Sequence, residues 1–259
     1  MTNEIGWTAI LLAGSRPGPD AFAQSRGAAS KAQIPVAGVP MIRRVADTLL
    51  ACPELARIVV LTQRPDDVSD LLPPSDRLSL RSSSGSIAET MSRFIADDVA
   101  PWPLFVTTAD HALLTPGTVS AFLAAVGAGD DVAVGVVSKA VLATRFPGSR
   151  RTWIRMGDGD FTGANLFALT SPRALAALAT WAGVERDRKK GWRLVARLGP
   201  WLLLRAMLRL VTLQGALDQA GAKLGTRVRA VALDDPLAAV DVDKLEDLEL
   251  ATAVFEGRM

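Results

Sequence analysis

Residues Thr8-Ala-Ile-Leu-Leu-Ala-Gly14 form an apolar run that stops at a glycine, and Lys31-Ala-Gln-Ile-Pro-Val-Ala-Gly-Val-Pro-Met41 follows after a stretch of small and polar residues. The run reads as a strand that feeds a tight loop. Two acidic strand ends lie downstream, Val106-Thr-Thr-Ala-Asp110 and Val240-Asp-Val-Asp243. Short apolar runs then alternate with helical patterns along the chain. That alternation predicts an α/β fold of three layers, α/β/α, around a mainly parallel central sheet.

In chain order, strands are expected over 8–12, 57–62, 78–81, 104–108, 131–137, 152–156, 165–169 and 228–233. Helices are expected over 40–50, 86–97, 116–126, 171–181 and 245–255. The first has Met41, Ile42, Val45 and Leu49 at three- and four-residue spacing, with Pro40 near its first turn. From Arg186 the composition turns basic, then rich in Trp, Leu and Arg as far as Leu213. There Gly199-Pro200 separates two short helices, 192–198 and 201–213. In the second, Leu203, Leu204, Met207, Leu210 and Val211 share a face, and Arg205 and Arg209 lie opposite. Such a hairpin suits packing on the domain, a homodimer contact, or a peripheral membrane contact at 192–213. The reading is one domain over 1–259 with a helical embellishment at about 185–225.

Composition removes several classes. The 259 residues are 49% hydrophobic, enough for a large core, and 29 Lys and Arg nearly balance 27 Asp and Glu. Nothing there marks a nucleic-acid binder. A single cysteine, Cys52, excludes an internal disulfide and a cysteine-based zinc site, and a single histidine, His111, excludes multi-histidine metal sites. Glu4 stands where a signal peptide would need positive charge, and no run of about 18 uncharged apolar residues occurs. The cytoplasm is the expected location, with the inner membrane face as a peripheral variant.

A glycine loop, a lysine and acids at strand ends are the parts needed to hold a nucleoside triphosphate with Mg²⁺. Both partners in nucleotidyl transfer are anionic, so the protein must align them and mask their charge. Backbone amides of a glycine loop do part of this, and a lysine pairs with the phosphates. Carboxylates hold the Mg²⁺. The loop runs Ala13-Gly-Ser-Arg-Pro-Gly18, which is not the Gly-x-Gly-x-x-Gly of a dinucleotide-binding oxidoreductase.

Leu11-Leu-Ala-Gly14 together with Lys31-Ala-x-x-Pro-Val-Ala-Gly-x-Pro-Met41 resembles the signature of MobA-like nucleotidyltransferases, relatives of the sugar- and alditol-phosphate cytidylyl- and guanylyltransferases. The resemblance implies a GT-A-like fold and transfer of a nucleotidyl group to a small phosphorylated acceptor such as a sugar or polyol phosphate, from CTP or GTP. It implies that the loop at Leu12, Ala13, Gly14, Ser15 and Arg16 wraps the triphosphate, and that Lys31 binds phosphates. Asp110 matches the family's magnesium aspartate, and Asp243 its late metal aspartate ahead of a helix. The loop departs from the family's usual Ala-Gly-Gly-x-Gly-x-Arg, so the phosphate-binding arginine is Arg16 or Arg26, and Asp241 stands as the alternative to Asp243. Lys31, Arg16 and Asp110 are the expected catalytic set.

Further residues complete the expected site. Gly85 and Ser86 open a helix where base or ribose would lie, with an ordinary serine cap as the alternative, and Thr108 ends the central strand. The turn at Gly163-Ala-Asn165 resembles the family's acceptor turn, so Asn165 is assigned to the acceptor, joined by Arg155 of the same region and by Lys189 of the basic run, whose charge suits an anion. The rival reading from another class is a protein that keeps the fold and senses nucleotide without turnover.

Overall fold

The computed structural model describes residues 6–14, 18, 20–98, 102–149, 151–186, 204–205 and 207–259. Their contacts group into two compact units. The first comprises residues 1–84, 103–121 and 240–259, and the second residues 85–102 and 122–239.

The first unit is built on a parallel sheet in the order β6 (Leu104–Thr108), β1 (Trp7–Leu12), β4 (Leu55–Thr62), β5 (Leu78–Ser82). Ile10 pairs Val106 on one side and Val59 on the other. With both edges occupied and Ala9, Ile10 and Leu11 fully buried, β1 is the centre of this unit. Strands covered on both faces read as continuous apolar runs, which is why Thr8–Leu12 stands out in the sequence. Helix α2 (Met41–Leu50) buries Met41, Ile42, Val45, Ala46 and Leu49 as one stripe.

Between β1 and α2 the chain forms the short helix α1 (Ala21–Ser25), capped by Asp20, and then the hairpin β2 (Pro35–Val36) and β3 (Val39–Pro40). Its two-residue turn has Ala37 at φ 45° and Gly38 at φ 77°, the left-handed pair that a tight hairpin turn demands. Alanine is strained there. Arg44 of α2 offsets this by donating to the carbonyls of Val36 and Ala37, at 2.6 and 3.3 Å from Nη2. The Arg44 guanidinium also lies 3.6 Å from the Phe255 ring centroid, which ties the hairpin to the last helix, α8 (Leu245–Phe255).

In the second unit β7 (Val132–Ser138) pairs in parallel with β10 (Val228–Leu233) and antiparallel with β9 (Gly159–Leu169). The short β8 (Ile154–Met156) closes a hairpin on β9. Around these strands lie α3 (Ile87–Asp97), α5 (Lys139–Arg145), α6 (Ala174–Arg186) and α7 (Leu213–Leu224), while α4 (Pro116–Ala124) spans the change of unit. Most pairings are parallel, in agreement with the expected α/β class.

The differences from expectation are local. The apolar Ile87 at the start of α3 is 41% exposed, and the buried face of that helix is made by Ala88, Thr90, Met91 and Phe94. The expected helix at 192–198 lies outside the described residues, as do Trp201, Leu202, Leu203 and Ala206 of the one expected over 201–213. The latter ends early, at Met207, and in the turn that follows Arg209 takes the left-handed region at φ 55° and pairs with Asp160 at 2.9 Å. Met207, Leu208 and Leu210 are exposed, at 76%, 59% and 61%. Among the described residues, no helix is long and apolar enough to cross a membrane.

Candidate active site

The first unit carries its polar residues at the carboxyl ends of its parallel strands, the edge where open α/β sheets bind ligands. β1 ends at Leu12, and the chain continues through Ala13, whose amide bonds the Leu61 carbonyl, to Gly14. Beside it β6 continues past Thr108, with the Ala109 amide donating to the Leu12 carbonyl at 2.9 Å. Asp110 follows. Thr108 Oγ1 donates to Asp110 Oδ1 at 2.5 Å, so one carboxylate oxygen is fixed and Oδ2 is left to face a cation. Thr108, assigned from sequence to the nucleotide, thus directs the Asp110 carboxylate.

Asp243 reaches the same place from the far end of the chain. The Val242 amide donates to the Asp110 carbonyl at 2.9 Å, and the Asp243 amide to Asp247 Oδ2 at 3.2 Å, in the first turn of α8. Lys31 opens a 3-10 turn whose entry is held by Gln33. Gln33 Oε1 accepts from the Ala29 and Ser30 amides at 2.8 and 3.3 Å, and its Nε2 donates to the Asp67 carbonyl at 2.6 Å. Three segments distant in sequence therefore meet at one ammonium. Lys31 Nζ lies 2.6 Å from Asp110 Oδ2 and also pairs with Asp243 Oδ1. Lys31 and Asp110 are mostly covered, with side chains 24% and 18% exposed, whereas Asp243 is open at 60%. Burial alone would lower the Lys31 pKa. The charge and hydrogen bond of Asp110, then those of Asp243, more than reverse this and hold it above the ordinary lysine value.

Among the described residues, no group of three or more His, Cys, Asp or Glu side chains forms a metal cluster. The donor set here is two carboxylates, hard oxygen ligands converging on a cation. Mg²⁺ is commonly held by one or two carboxylates, with phosphate and water completing its shell, so these residues fit it.

Other expected residues fall elsewhere. Ser15, Arg16 and Lys189 lie outside the described residues. Arg26 is exposed and ends α1. The second unit holds Gly85, Ser86, Arg155 and Asn165. Ser86 Oγ accepts from the Glu89 amide at 3.2 Å, and Glu89 Oε2 accepts from the Ser86 amide at 3.1 Å. The capping box so formed is the bland alternative the sequence offered for Ser86. Gly85, at φ 85°, makes the turn before it. Arg155 is exposed on β8, directly opposite Asp160 of β9, and Asp160 also lies 4.0 Å from Lys139. Asn165 has φ 50° where the β7–β9 register shifts between Val134 and Val136. A left-handed asparagine at a bulge re-aims its side chain, and such backbone strain gathers at functional sites.

One residue beside Gly14 was missed from sequence. Gln63, the first residue after β4, lays its amide against Gly14, and a Cβ on Gly14 would fall 2.8 Å from Gln63 Nε2. Its position at the carboxyl end of the strand paired to β1 was the available clue, because Leu61 pairs Leu12.

A model of the MobA-like NTP transferase domain matches residues 9–201. A hypothetical transferase from Thermus thermophilus is 31% identical, with a TM-score of 0.79 over 94% of this chain and 100% of its own. The 4-diphosphocytidyl-2C-methyl-D-erythritol synthase of Anaerococcus prevotii shares the fold at 10% identity and a TM-score of 0.62, over 98% of this chain and 97% of its own. CMP:2-keto-3-deoxy-manno-octonic acid synthetase, solved with CTP, does so at 15% identity and a TM-score of 0.58, over 98% of this chain and 100% of its own. No curated protein matches. With a strand-end glycine loop, a lysine held between two aspartates and a family match over most of its length, the chain belongs to the MobA-like NTP transferase family.

Proposed function

We propose that this nucleotidyltransferase moves a nucleoside monophosphate from CTP to a small phosphorylated acceptor with the help of Mg²⁺ and releases pyrophosphate. The observation that carries the reading is the convergence of Asp110, Asp243 and Lys31 at one point beside the Gly14 loop. CTP is put ahead of GTP because two proteins of the same fold are named for cytidylyl chemistry, one of them solved with CTP. The reading places the enzyme in the cytoplasm, where nucleoside triphosphates are available.

Asp110 and Asp243 would hold the Mg²⁺, which supplies charge neutralisation on the triphosphate when bound. Lys31 pairs with the phosphates through the same ammonium that now faces the two carboxylates. Gly14 offers its backbone to the phosphates with no side chain of its own in the way. An acceptor phosphate oxygen forms a bond to the α-phosphorus as the α–β bridging P–O bond breaks, and its electron pair leaves with pyrophosphate. An acceptor phosphate is already ionised at neutral pH, so no general base is needed, and alignment with charge masking carries the rate. For the acceptor we assign Asn165 and Arg155, together with Lys189. Lys139 and Arg209 lie beside Asp160 near Arg155 and add positive charge suited to a phosphate.

Pyrophosphate release from each of CTP, GTP, UTP and ATP, with a panel of sugar and polyol phosphates, tests the reading. Release that needs CTP, acceptor and Mg²⁺ together is expected. Equal release from all four nucleotides, or full activity in EDTA, would sink it.

A further inference from the structure

We infer that Lys31 and the divalent cation are alternative occupants of one place: the lysine holds Asp110 and Asp243 together until a metal–triphosphate complex displaces it onto the phosphates. This rests on the proposal that the two carboxylates hold the metal. It adds that the site carries its own stand-in cation.

Geometry comes first. Thr108 occupies Asp110 Oδ1, so Oδ2 is the oxygen turned toward the cation, and Lys31 Nζ takes it at 2.6 Å while also pairing with Asp243 Oδ1. The Val242 amide on the Asp110 carbonyl keeps the two acidic segments adjacent whatever cation lies between them. Two carboxylates held side by side repel each other unless a cation is present, and Lys31 is that cation here. A metal ion on the same oxygens would face the ammonium as a like charge, so the two exclude each other.

The exchange also balances charge. Lys31, Asp110 and Asp243 sum to −1. Adding a divalent cation without moving the lysine makes the cluster +1, whereas moving the ammonium away neutralises the two carboxylates with the metal. The freed ammonium then meets the incoming phosphates, which bring negative charge. The backbone need not move, because Gln33 fixes the turn that bears Lys31, and a lysine stem is long and flexible enough to swing alone. The nucleotide-free protein should therefore bind divalent metal poorly, with metal and triphosphate entering together.

The inference sets opposite signs on one substitution. Neutralising Lys31 strengthens metal binding to the nucleotide-free protein and weakens triphosphate binding. A lysine that merely braces the fold would weaken both. The test is Mn²⁺ titration of the whole chain, read by loss of the free-ion electron paramagnetic resonance signal. It compares wild type, Lys31→Met, Lys31→Gln, Asp110→Asn and the Lys31→Met/Asp110→Asn pair, with and without CTP, and with circular dichroism melts to establish folding. Removing one nearby positive charge should tighten nucleotide-free Mn²⁺ binding by about tenfold or more in the Met or Gln variant. The same change should loosen CTP binding, and Asp110→Asn should abolish the gain. Unchanged or weaker Mn²⁺ binding in both folded Lys31 variants overturns the inference. If Asp110→Asn leaves CTP-supported Mn²⁺ binding intact, the carboxylate reading beneath it falls as well. If that binding is lost while the Lys31 variants gain nothing, the exchange alone falls.

Discussion

Each unit of the chain holds a pair of aspartates close to basic groups, and the two pairs are built differently. In the second unit Asp130 and Asp131 lie at the amino ends of β7 and β10. Asp131 accepts from the Arg227 amide at 2.9 Å and from Ser171 Oγ at 2.7 Å. Asp130 accepts from the Gly127 amide at 2.8 Å and from Arg229 Nε at 2.5 Å. These partners come from the chain's own backbone and neighbouring side chains, and a cleft there is lined by Arg173, Arg227 and Arg229 against Asp130, Asp131 and Asp218, an even balance of charge. In the first unit two carboxylates share one lysine at the carboxyl ends of the strands, with a summed charge of −1. A cluster whose charges are matched by its own fold serves stability. A cluster of two carboxylates around one movable ammonium at the ligand-binding edge is suited to receiving a cation from outside.

The largest effect expected of this contrast is on turnover. Asp110→Asn keeps shape and volume but removes the charge, and should lower kcat by about 10²–10³-fold, the range seen when one transition-state electrostatic partner is lost. Its urea midpoint should fall only modestly, because Lys31 loses Asp110 but keeps Asp243. Full Mg²⁺-dependent turnover in this variant would break the comparison at its root. Asp131→Ala should do the reverse. It strands buried donors that Asp131 now satisfies, and should cost about 3 kcal/mol of stability with activity per folded molecule unchanged. Urea unfolding beside active-fraction kinetics separates the two.

The clusters should also fail at opposite ends of the pH scale. Burial would raise the Asp131 pKa, but the Arg227 amide, Ser171 and the charges of Arg173 and Arg227 bring it below the ordinary carboxylate value. A depressed carboxylate stabilises the fold above its unfolded pKa of about 3.9, and that contribution is lost as pH falls through the folded value. Lys31 is raised, so its contribution is complete below the unfolded pKa of about 10.4 and is lost at higher pH, as the folded value is passed. Stability measured against pH should therefore lose its acid limb in part with Asp131→Asn, and its alkaline limb in part with Lys31→Met. A swap of these limbs would contradict the assignment.

Much of this was legible because burial writes periodicity into sequence. Val228–Leu233 and Leu245–Phe255 could be bounded from their apolar patterns alone, and α2 to within a residue. Helix α5 was missed because seven residues starting directly after β7 are too few for a pattern, although Ser138 caps it. Helix α7 carried fuller marks, a Thr212 cap and a left-handed Gly225 at its end, but the Trp- and Arg-rich stretch before it suggested a longer preceding helix. That helix ends at Met207, ahead of a turn in which Arg209 takes the left-handed region and pairs with Asp160. The meeting of Lys31 with Asp110 and Asp243 has no local signature. Lys31 and Asp243 are 212 residues apart, and the sequence offers them as separate pieces whose meeting it does not show.

The smallest expected effect sharpens the edge of the site itself. Gly14 is not in the left-handed region, so alanine meets no backbone strain there. Its Cβ would meet the amide end of Gln63, at 2.8 Å from Nε2 and 2.9 Å from Oε1, and a flexible side chain can give way. Gly14→Ala should therefore change stability by less than about 1 kcal/mol. It should still weaken CTP binding by about threefold to tenfold, because a methyl group narrows the loop's approach to phosphate and pushes Gln63 aside. The two causes separate in a double-mutant cycle with Gln63→Ala. If the methyl acts through Gln63, Gly14→Ala costs nothing further once Gln63 is truncated. If it acts by crowding the phosphates, the two losses add. The first outcome would route the effect of Gly14→Ala through Gln63, and the second would assign it to Gly14 itself.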